Sequence, residues 1–226
     1  MACLISVIVP AYNEEKNIRQ VVDRIKKAVL DPLEIIVVDD GSDDGTCLIA
    51  GSIAHVILLK NEANRGKGYS YRQGIERASG EIIVFLDGDL QDLPEDIPSL
   101  LDEINRGADF VIASKFIGQC RSGSISGLNI VGNKFFSILI NLLFRSSITD
   151  SQSGFKAIRK EALKKISLVS DGYEIETEML IRAIKSHLKI TEVPTARDKR
   201  FGGQSKFRRI KYGLRILRVV IGERLF

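Results

Sequence analysis

Short apolar runs alternate with amphipathic segments along the first 115 residues, and this alternation constrains the fold more than any other feature. Five runs rich in Val, Ile and Leu predict strands, since nearly continuous apolar runs are typical of strands covered on both faces. These predicted strands are 4–9, 34–39, 56–60, 81–87 and 109–114. Helical spacing between them predicts helices at 14–29, 43–53, 69–78 and 94–105. The order of elements predicts an α/β fold with a doubly wound, mostly parallel sheet.

Polar residues predict where these helices begin. Asn13, Ser42 and Pro94 each stand immediately before two acidic residues, a pattern typical of helix N-termini. In the second half, glycines and serines predict a loop at 116–130. The elements predicted beyond this point are helices at 129–144, 160–166 and 175–186, a strand at 188–193, and a last helix at 207–226.

The charge of the chain is uneven. The net charge is +4, but residues 197–226 hold ten Lys and Arg against two acids, so the preceding part is slightly acidic. A basic tail on an acidic body is typical of a protein with an extended anionic partner, such as a membrane surface, a nucleic acid or phosphates. Cys3, Cys47 and Cys120 match no metal or disulfide pattern, so we expect a reducing, cytosolic environment.

No segment is expected to cross a bilayer. The longest uncharged apolar stretch, 135–144, has ten residues, and a spanning helix needs about 20. The apolar start of the chain is too short for a signal peptide.

Acidic side chains collect at the predicted ends of three strands. Strand one is followed by Glu14, strand two ends in Asp39-Asp40, and strand four ends in Asp87-Gly88-Asp89. The ends of parallel strands share one edge, where ligands bind, and acids gathered there repel one another unless a cation compensates. Alternate aspartates on an extended segment suit Mg²⁺ or Mn²⁺, hard cations that also bind phosphates.

Two basic segments that contain glycine accompany these acids. Lys67 stands between Gly66 and Gly68 before a predicted helix, which suits close approach of the backbone to an anion. Near the end of the chain, Arg200 and Lys206 flank a pair of glycines that would let this segment fold over a diphosphate.

Other cofactor sites are not matched. A calcium loop of the EF-hand type does not fit, because Asp92 and Pro98 stand where it requires Gly and Glu. The spacing of the triphosphate-binding P-loop is absent. No Gly-x-Gly-x-x-Gly follows the first strand, which argues against a nicotinamide enzyme.

Taken together, these motifs resemble a known family. Segments 7–14 (VIVPAYNE), 37–46 (VVDDGSDDGT) and 87–91 (DGDLQ) resemble the inverting family 2 glycosyltransferases of the GT-A fold. Segments 150–155 (DSQSGF), 172–176 (GYEIE) and 192–206 narrow the resemblance to the polyprenyl-phosphate, or dolichyl-phosphate, hexosyltransferases. The resemblance covers residues 4–210.

The resemblance implies roles for the matching positions. Residues expected to bind the nucleotide-sugar donor are Pro10, Ala11, Tyr12, Glu14, Asp39, Asp40, Gly66, Lys67, Gly68 and Asp87. Residues expected to hold the metal, Mg²⁺ or Mn²⁺, are Asp87, Asp89 and Gln91. Residues expected to act in catalysis are Asp89, Arg200, Lys206 and Asp150. Residues expected to bind the acceptor phosphate are Lys115, Arg121 and Lys134, of which Lys115 replaces an arginine common in the family.

The implied reaction is a metal-dependent single displacement that transfers a hexose, with inversion, to a polyprenyl phosphate. A lipid phosphate is already an anion and needs no strong base, so His55 and His187 are interpreted as structural. The implied domains are a glycosyltransferase domain at 1–206, with an acceptor loop and interfacial helix at 115–145, and a basic amphipathic helix at 207–226. We expect peripheral docking on the cytoplasmic face of a membrane, with a homodimer as a further expectation and no nucleic acid as partner.

Several alternatives stay open. A family 2 enzyme acting on a polysaccharide or glycan hydroxyl would need a carboxylate base, for which Glu176 or Glu178 would serve. A nucleic-acid-binding protein would use the basic tail, but this leaves the strand-end acids unexplained. A sugar nucleotidyltransferase would require a glycine-rich first loop. The donor is a UDP-sugar (UDP-glucose or UDP-N-acetylglucosamine), which we favour slightly, or GDP-mannose.

Overall fold

The fold is described from a computed structural model, in which residues 3–117, 127–198 and 209–225 are described. The strands are β1 (Ile5–Ala11), β2 (Leu33–Asp39), β3 (Val56–Lys60), β4 (Ile82–Phe85), β5 (Phe110–Ser114), β6 (Lys156–Arg159) and β7 (Ile190–Pro194). The helices are α1 (Ile18–Ala28), α2 (Thr46–Gly51), α3 (Lys67–Arg77), α4 (Ile97–Asn105), α5 (Gly127–Phe144), α6 (Lys160–Leu163), α7 (Ile175–Lys185) and α8 (Arg209–Leu225). A 3-10 turn, Pro94–Asp96, precedes α4.

The seven strands form one sheet in the order β3-β2-β1-β4-β6-β5-β7. Neighbours pair in parallel, except that β6 runs antiparallel to both β4 and β5. The predicted α/β fold with a mostly parallel sheet is therefore confirmed.

The sequence does not predict β6. Its four residues (KAIR) include only two apolar side chains, too few to indicate a buried strand, and its place is set by pairing with strands on both sides. Because β6 runs against its neighbours, the loop before it, 150–155, reaches the edge where β1, β2 and β4 end. The antiparallel insertion thus adds a fourth chain segment to that edge.

The helix starts predicted from Asn13 and Ser42 are wrong. Asn13 adopts a left-handed conformation (φ 58°), and α1 begins only at Ile18. The two polar side chains instead tie the ends of β1 and β2 together. The backbone N–H of Asn13 donates to Ser42 Oγ at 2.9 Å, and the N–H of Asp43 donates to Asn13 Oδ1 at 2.9 Å. Short polar side chains that bond to nearby backbone favour such turns as readily as helix caps.

Two apolar layers cover the faces of the sheet. Val7 and Val9 of β1 lie in the layer formed with α1 and α4, whereas Ile8 lies in the layer formed with α3, α7 and α8. Ile216 and Val220 of α8 are buried in this second layer. The C-terminal helix therefore packs on the same core as the rest of the domain.

Helix α5 is turned with an apolar side outward. With 18 residues, the helix is long and apolar enough to cross a membrane by length and composition, and 17% of it is buried. The expectation that no segment reaches this length is wrong, because α5 stays apolar on average over 18 residues although it includes glycines, asparagines and the charged Lys134. A lone helix of this kind is weak evidence for a membrane span.

Candidate active site at the carboxyl edge of the sheet

Asp39 ends β2 and is fully buried at this edge. Its Oδ1 accepts hydrogen bonds from the backbone N–H of Ser42, at 3.3 Å, and from the Ser42 hydroxyl. Its Oδ2 is buried and has no hydrogen-bond partner among the described residues. A buried carboxylate oxygen is costly to leave unpaired. Asp39 therefore fits its predicted role of accepting a hydrogen bond from a bound nucleotide.

Asp40 shapes the neighbouring loop. Its Oδ1 accepts from Asn61 Nδ2 at 2.8 Å and from the backbone N–H of Arg65 at 3.0 Å, and its Oδ2 accepts from the N–H of Gly66 at 2.8 Å. These bonds fix the loop that carries Gly66, and the predicted contact of Asp40 with the donor stays a prediction.

The remaining predicted donor residues on β1 lie beside Asp39. Pro10 and Ala11 end the strand in register with the end of β2. Tyr12 follows half-buried, and burial raises the pKa of its phenol. Glu14 is buried, and its Oε2 accepts a hydrogen bond from Asn17 Nδ2 at 2.6 Å. The Glu14 carboxylate is thus held in place by the residue before α1.

Gly66 and Gly68 allow close contact with another backbone segment. Gly66 has φ +103°, and a Cβ there would lie 2.4 Å from the carbonyl oxygen of Asp171. A Cβ at Gly68 would lie 2.2 Å from the carbonyl oxygen of Ser170, and the Gly68 N–H donates to Asp171 O at 2.7 Å. These glycines are therefore required for contact with another backbone segment, and their predicted contact with the donor stays a prediction.

Lys67 joins two buried carboxylates beneath this edge. Its Nζ lies 2.5 Å from Asp87 Oδ1 and 2.7 Å from Glu176 Oε1. Burial alone would lower the pKa of Lys67, but Asp87 and then Glu176 raise it well above its ordinary value. Burial opposes ionisation of Asp87 as well, and Lys67 outweighs it and lowers the pKa of that carboxyl. Both groups are therefore charged at neutral pH.

The turn after β4 carries the other predicted metal ligands. The backbone N–H of Gln91 donates to Asp89 Oδ1 at 3.1 Å, across Leu90, which has a positive φ of 61°. The Gln91 side chain contacts the segment after β7: its Oε1 accepts from Arg197 Nη2 at 3.2 Å. The turn is thereby fixed with Asp89 and Gln91 side by side.

Negative charge exceeds positive charge around this turn. Asp92 is buried, with Arg197 Nε 4.0 Å from its Oδ1. Burial, and then Asp87 and Asp89, raise the pKa of Asp92 to about 6 although Arg197 lowers it. Burial is the main cause of this shift, and the like charges of Asp87 and Asp89 add to it, so the turn would gain from added countercharge. A divalent cation at Asp87, Asp89 and the Gln91 amide oxygen would supply it, although no three Asp, Glu, His or Cys side chains form a metal-binding group within the described ranges.

Two of the predicted acceptor-phosphate residues meet beyond β5. Lys115 is buried, with its Nζ 2.5 Å from Asp150 Oδ2 and 5.1 Å from the ring centre of Phe116. Lys134 of α5 is exposed, with its Nζ 5.9 Å from the centre of the same ring. Asp150 also accepts from Asn133 Nδ2 at 2.8 Å. The ammonium groups of the two lysines thus lie near the same aromatic ring, at the start of the acceptor loop.

Three predicted site residues, Arg121, Arg200 and Lys206, lie outside the described residues, so their roles stay predictions. His55 and His187 precede β3 and β7, with positive φ values of 61° and 53°, at the edge opposite to the site. Their position agrees with a structural role.

Sequence reasoning missed four residues that the structure brings into the site: Asp92, Asn133, Glu176 as a partner of Lys67, and Arg197. Arg197 stands where the basic tail begins, and that change of charge was its only signal. Asn133 lies on an apolar helix, where a polar residue with a buried partner is easily mistaken for an interruption.

The comparisons with known proteins agree with the observed architecture. The glycosyl transferase family 2 profile matches residues 6–167. The chain is 36% identical over 213 residues to the UDP-N-acetylglucosamine–dolichyl-phosphate N-acetylglucosaminyltransferase of Methanococcus voltae, covering 84% of each chain. It is 33% identical over 210 residues to the dolichol-phosphate mannosyltransferase of Pyrococcus furiosus, covering 90% of this chain but only 59% of that protein.

Solved structures share the fold. Glucosyl-3-phosphoglycerate synthase from Mycobacterium tuberculosis, in complex with Mn²⁺, UDP and glucosyl-3-phosphoglycerate, superposes with a TM-score of 0.78. The match has 25% sequence identity and covers 98% of this chain and 80% of that one. The chain therefore shares the fold of a synthase whose structure was solved with Mn²⁺ and UDP bound.

Proposed function

The chain belongs to glycosyl transferase family 2, and on this basis we propose that it transfers a hexose from a nucleotide diphosphate sugar to a polyprenyl (dolichyl) phosphate with inversion. One observation supports a lipid phosphate as the acceptor. The Nζ atoms of Lys115 and Lys134 both lie near the Phe116 ring, next to the outward apolar face of α5. A phosphate on a long isoprenoid chain needs cations beside an apolar surface. The names of the two relatives described above give different sugars, but both include a dolichol (dolichyl) phosphate.

The donor would lie along the edge from Asp39 to the turn after β4. The unpaired Oδ2 of Asp39 would accept a hydrogen bond from the nucleoside. Mg²⁺ or Mn²⁺, when bound by Asp87, Asp89 and Gln91, would neutralise charge that develops on the departing diphosphate. The Mn²⁺ and UDP in the solved neighbour support this arrangement. We favour a UDP-sugar, glucose or N-acetylglucosamine, over GDP-mannose.

The proposed reaction forms one bond and breaks one. An oxygen of the acceptor phosphate attacks the anomeric carbon, the bond from that carbon to the diphosphate breaks, and the nucleoside diphosphate leaves with the electron pair. An α-linked donor thus gives a β-linked lipid product. The acceptor oxygen carries no proton that must be removed first, so no residue is required as a strong base.

The alternative with a hydroxyl acceptor is poorly served by this site. Glu176 is paired with Lys67 and Lys156, and it accepts a hydrogen bond from Tyr71 at 3.1 Å. Glu178 is buried, and it accepts from the backbone N–H of Ser170 at 2.8 Å and from Arg182 at 3.0 Å. Neither carboxylate is placed to take a proton from an acceptor hydroxyl.

Within the proposed reaction, Asp150 holds the acceptor cation and does not move a proton. It is buried, its Oδ2 accepts from both the backbone N–H and Nζ of Lys115, and its Oδ1 accepts from Asn133. A carboxylate with these bonds fixes the position of Lys115. This role is an alternative to the direct catalytic assistance that the sequence suggested.

Peripheral docking on the cytoplasmic face of a membrane completes the proposal. The outward side of α5 exposes a stripe of large apolar residues: Leu128, Val131, Phe135, Ile138 and Leu142. Its buried residues are two polar ones, Asn133 bonded to Asp150 and Ser137 bonded to Thr149 and Ser151, and Ile140, which lies in the second apolar layer. Water does not stabilise a row of large apolar side chains on the outer side of a helix.

Charge supports a lipid surface as the partner of this stripe. Helix α8, which packs beside α5, exposes Leu214 and Ile221 together with the cations Lys211, Arg215 and Arg218. Exposed apolar residues beside basic ones fit the headgroup region of an anionic leaflet.

Vesicle flotation tests the docking surface. We expect the protein to float with vesicles containing anionic phospholipid, and we expect Leu142→Glu to abolish this. Val169→Glu serves as the matched control, because Val169 is 67% exposed but lies outside α5 and α8. Equal loss in both variants, or a dimer that forms without lipid and is disrupted only by Leu142→Glu, would contradict membrane docking. The latter result would identify the stripe as a homodimer interface.

A transfer assay tests the reaction. The protein is incubated with polyprenyl phosphate, Mg²⁺ or Mn²⁺, and labelled UDP-glucose, UDP-N-acetylglucosamine or GDP-mannose. We expect label in the lipid phase from one of these donors. Label that appears only in added polysaccharide or glycan would favour the hydroxyl-acceptor alternative.

A further inference from the structure

The proposed reaction gives no role to Glu176, a buried residue at the end of segment 172–176. Glu176 stands in the first turn of α7 and is 3% exposed. Its Oε1 lies 2.7 Å from Lys67 Nζ, and its Oε2 pairs with Lys156 Nζ. Lys67 Nζ lies 2.5 Å from Asp87 Oδ1. One lysine is therefore shared between a proposed metal ligand and a carboxylate on another helix.

This group of side chains is buried and closely fitted. Tyr71 donates to Glu176 Oε1 at 3.1 Å, and its ring packs on Phe85 with ring centres 4.4 Å apart. Gly154 approaches so closely that a Cβ there would lie 2.6 Å from Lys67 Nζ and 2.9 Å from Asp87 Oδ2. The surrounding atoms therefore leave Lys67 little room to move away from both carboxylates.

The charges of the group balance, two lysines against two carboxylates. A divalent cation that binds Asp87 competes with Lys67 for the same carboxylate, because both are attracted to its oxygens. Glu176 offers Lys67 a second partner, which Lys67 keeps when the cation takes its place on Asp87. Without that partner, Lys67 would be bound to Asp87 alone and would compete more strongly with the cation.

We propose that Glu176 is a positioning residue that sets the divalent-cation affinity of Asp87 by retaining Lys67. This inference rests on the proposed function only in taking Asp87 as a metal ligand. It assigns no proton transfer and no substrate contact to Glu176.

Direct Mn²⁺ binding tests the inference without any sugar donor. We expect Glu176→Gln to weaken Mn²⁺ binding by about 10- to 100-fold, the usual effect of removing a group that supports a metal ligand. Free Mn²⁺ is measured by electron paramagnetic resonance during titration of the protein. In the transfer assay, the same variant should need more Mn²⁺ for half-maximal rate while keeping most of its rate at saturating Mn²⁺.

Glu178→Gln is the matched control. Glu178 lies two residues further along α7, is 1% exposed and is likewise hydrogen-bonded and ion-paired, but with Ser170 and Arg182. We expect it to lower the unfolding temperature as Glu176→Gln does, with Mn²⁺ binding unchanged. Equal effects of the two substitutions on Mn²⁺ binding would overturn the proposal, as would unchanged binding in Glu176→Gln.

A second variant covers the case in which Glu176→Gln alone does not fold. Glu176→Gln with Lys156→Met removes the buried pair together, which relieves the charge left on Lys156. We expect this double variant to fold and still to bind Mn²⁺ weakly, and normal binding would refute the proposal. If wild-type protein binds Mn²⁺ but transfers no sugar, the proposed function fails while this inference stands.

Discussion

Replacing Asp150 with asparagine tests how the acceptor side of the site is built. Asp150 Oδ2 lies 2.5 Å from Lys115 Nζ, and both side chains are buried. Asn133 donates to the other carboxylate oxygen at 2.8 Å. The substitution preserves the size of the side chain but removes its charge, so Lys115 loses this counterion while remaining buried.

The expected cost follows from the burial of the pair. Removing one partner of a buried ion pair costs about 3–5 kcal/mol, because the other charge stays desolvated. The Lys115 side chain is 8% exposed, so we expect a cost at the lower end of this range, about 3 kcal/mol. For a chain of this length, each kcal/mol corresponds to about 2–4 °C in melting temperature, which gives a decrease of about 6–12 °C.

Thermal and urea unfolding of two variants measures this. Asp150→Asn should show the full loss, whereas Asp150→Leu with Lys115→Met should recover most of it, since no buried charge of the pair remains. Both variants should show a raised KM for polyprenyl phosphate. The reasoning is refuted if Asp150→Asn costs less than about 1 kcal/mol, the range of surface pairs, or if the double variant is less stable than the single one.

Three further changes test other parts of the molecule. Asp89→Asn should abolish transfer while leaving the unfolding curve unchanged, and retained activity would remove Asp89 from the metal site. Gly68→Ala should destabilise the fold by more than about 2 kcal/mol, because a Cβ there would lie 2.2 Å from the carbonyl oxygen of Ser170. Gly132→Ala in α5 is the control: a Cβ there has nothing within 4 Å, so we expect it to stabilise the fold by about 0.5–1 kcal/mol. Similar stabilities for the two variants would show that the contact at Gly68 is absent. For Glu223, burial opposes ionisation, but Lys185 and Arg182 lower its pKa below 4.5, so its stabilisation is present above that pH and lost below it. Glu223→Gln should therefore reduce the free energy of unfolding at pH 7, and this deficit should shrink as pH falls below 4.5 through the lowered pKa. A deficit of the same size at every pH would contradict this assignment.

Much of the fold follows from local pattern. The strands that carry Asp39 and Asp87 are nearly continuous runs of β-branched residues, and burial on both faces of a parallel sheet demands such runs. The edge that collects the acids then follows from strand direction. The resemblance of three motifs supplied the family, which the comparisons confirm.

The features that sequence did not predict depend on contacts between distant segments. β6 is a strand because β4 and β5 flank it, not because its four residues favour one. Beside two glycines, Lys67 is predicted to bind the donor, and that role stays a prediction. Its partners in the structure, Asp87 and Glu176, lie 20 and 109 positions away in the chain, and no local pattern links them.

The central claim is that the acceptor is a lipid phosphate, and the mass of the lipid product tests it most directly. The protein is given its nucleotide sugar, a divalent cation and either polyprenyl phosphate or the matching polyprenol without phosphate, and the lipid phase is examined by mass spectrometry. We expect one hexosyl unit to be added to polyprenyl phosphate and none to polyprenol. Equal transfer to both lipids, or transfer only to the alcohol, would contradict a lipid phosphate as the acceptor.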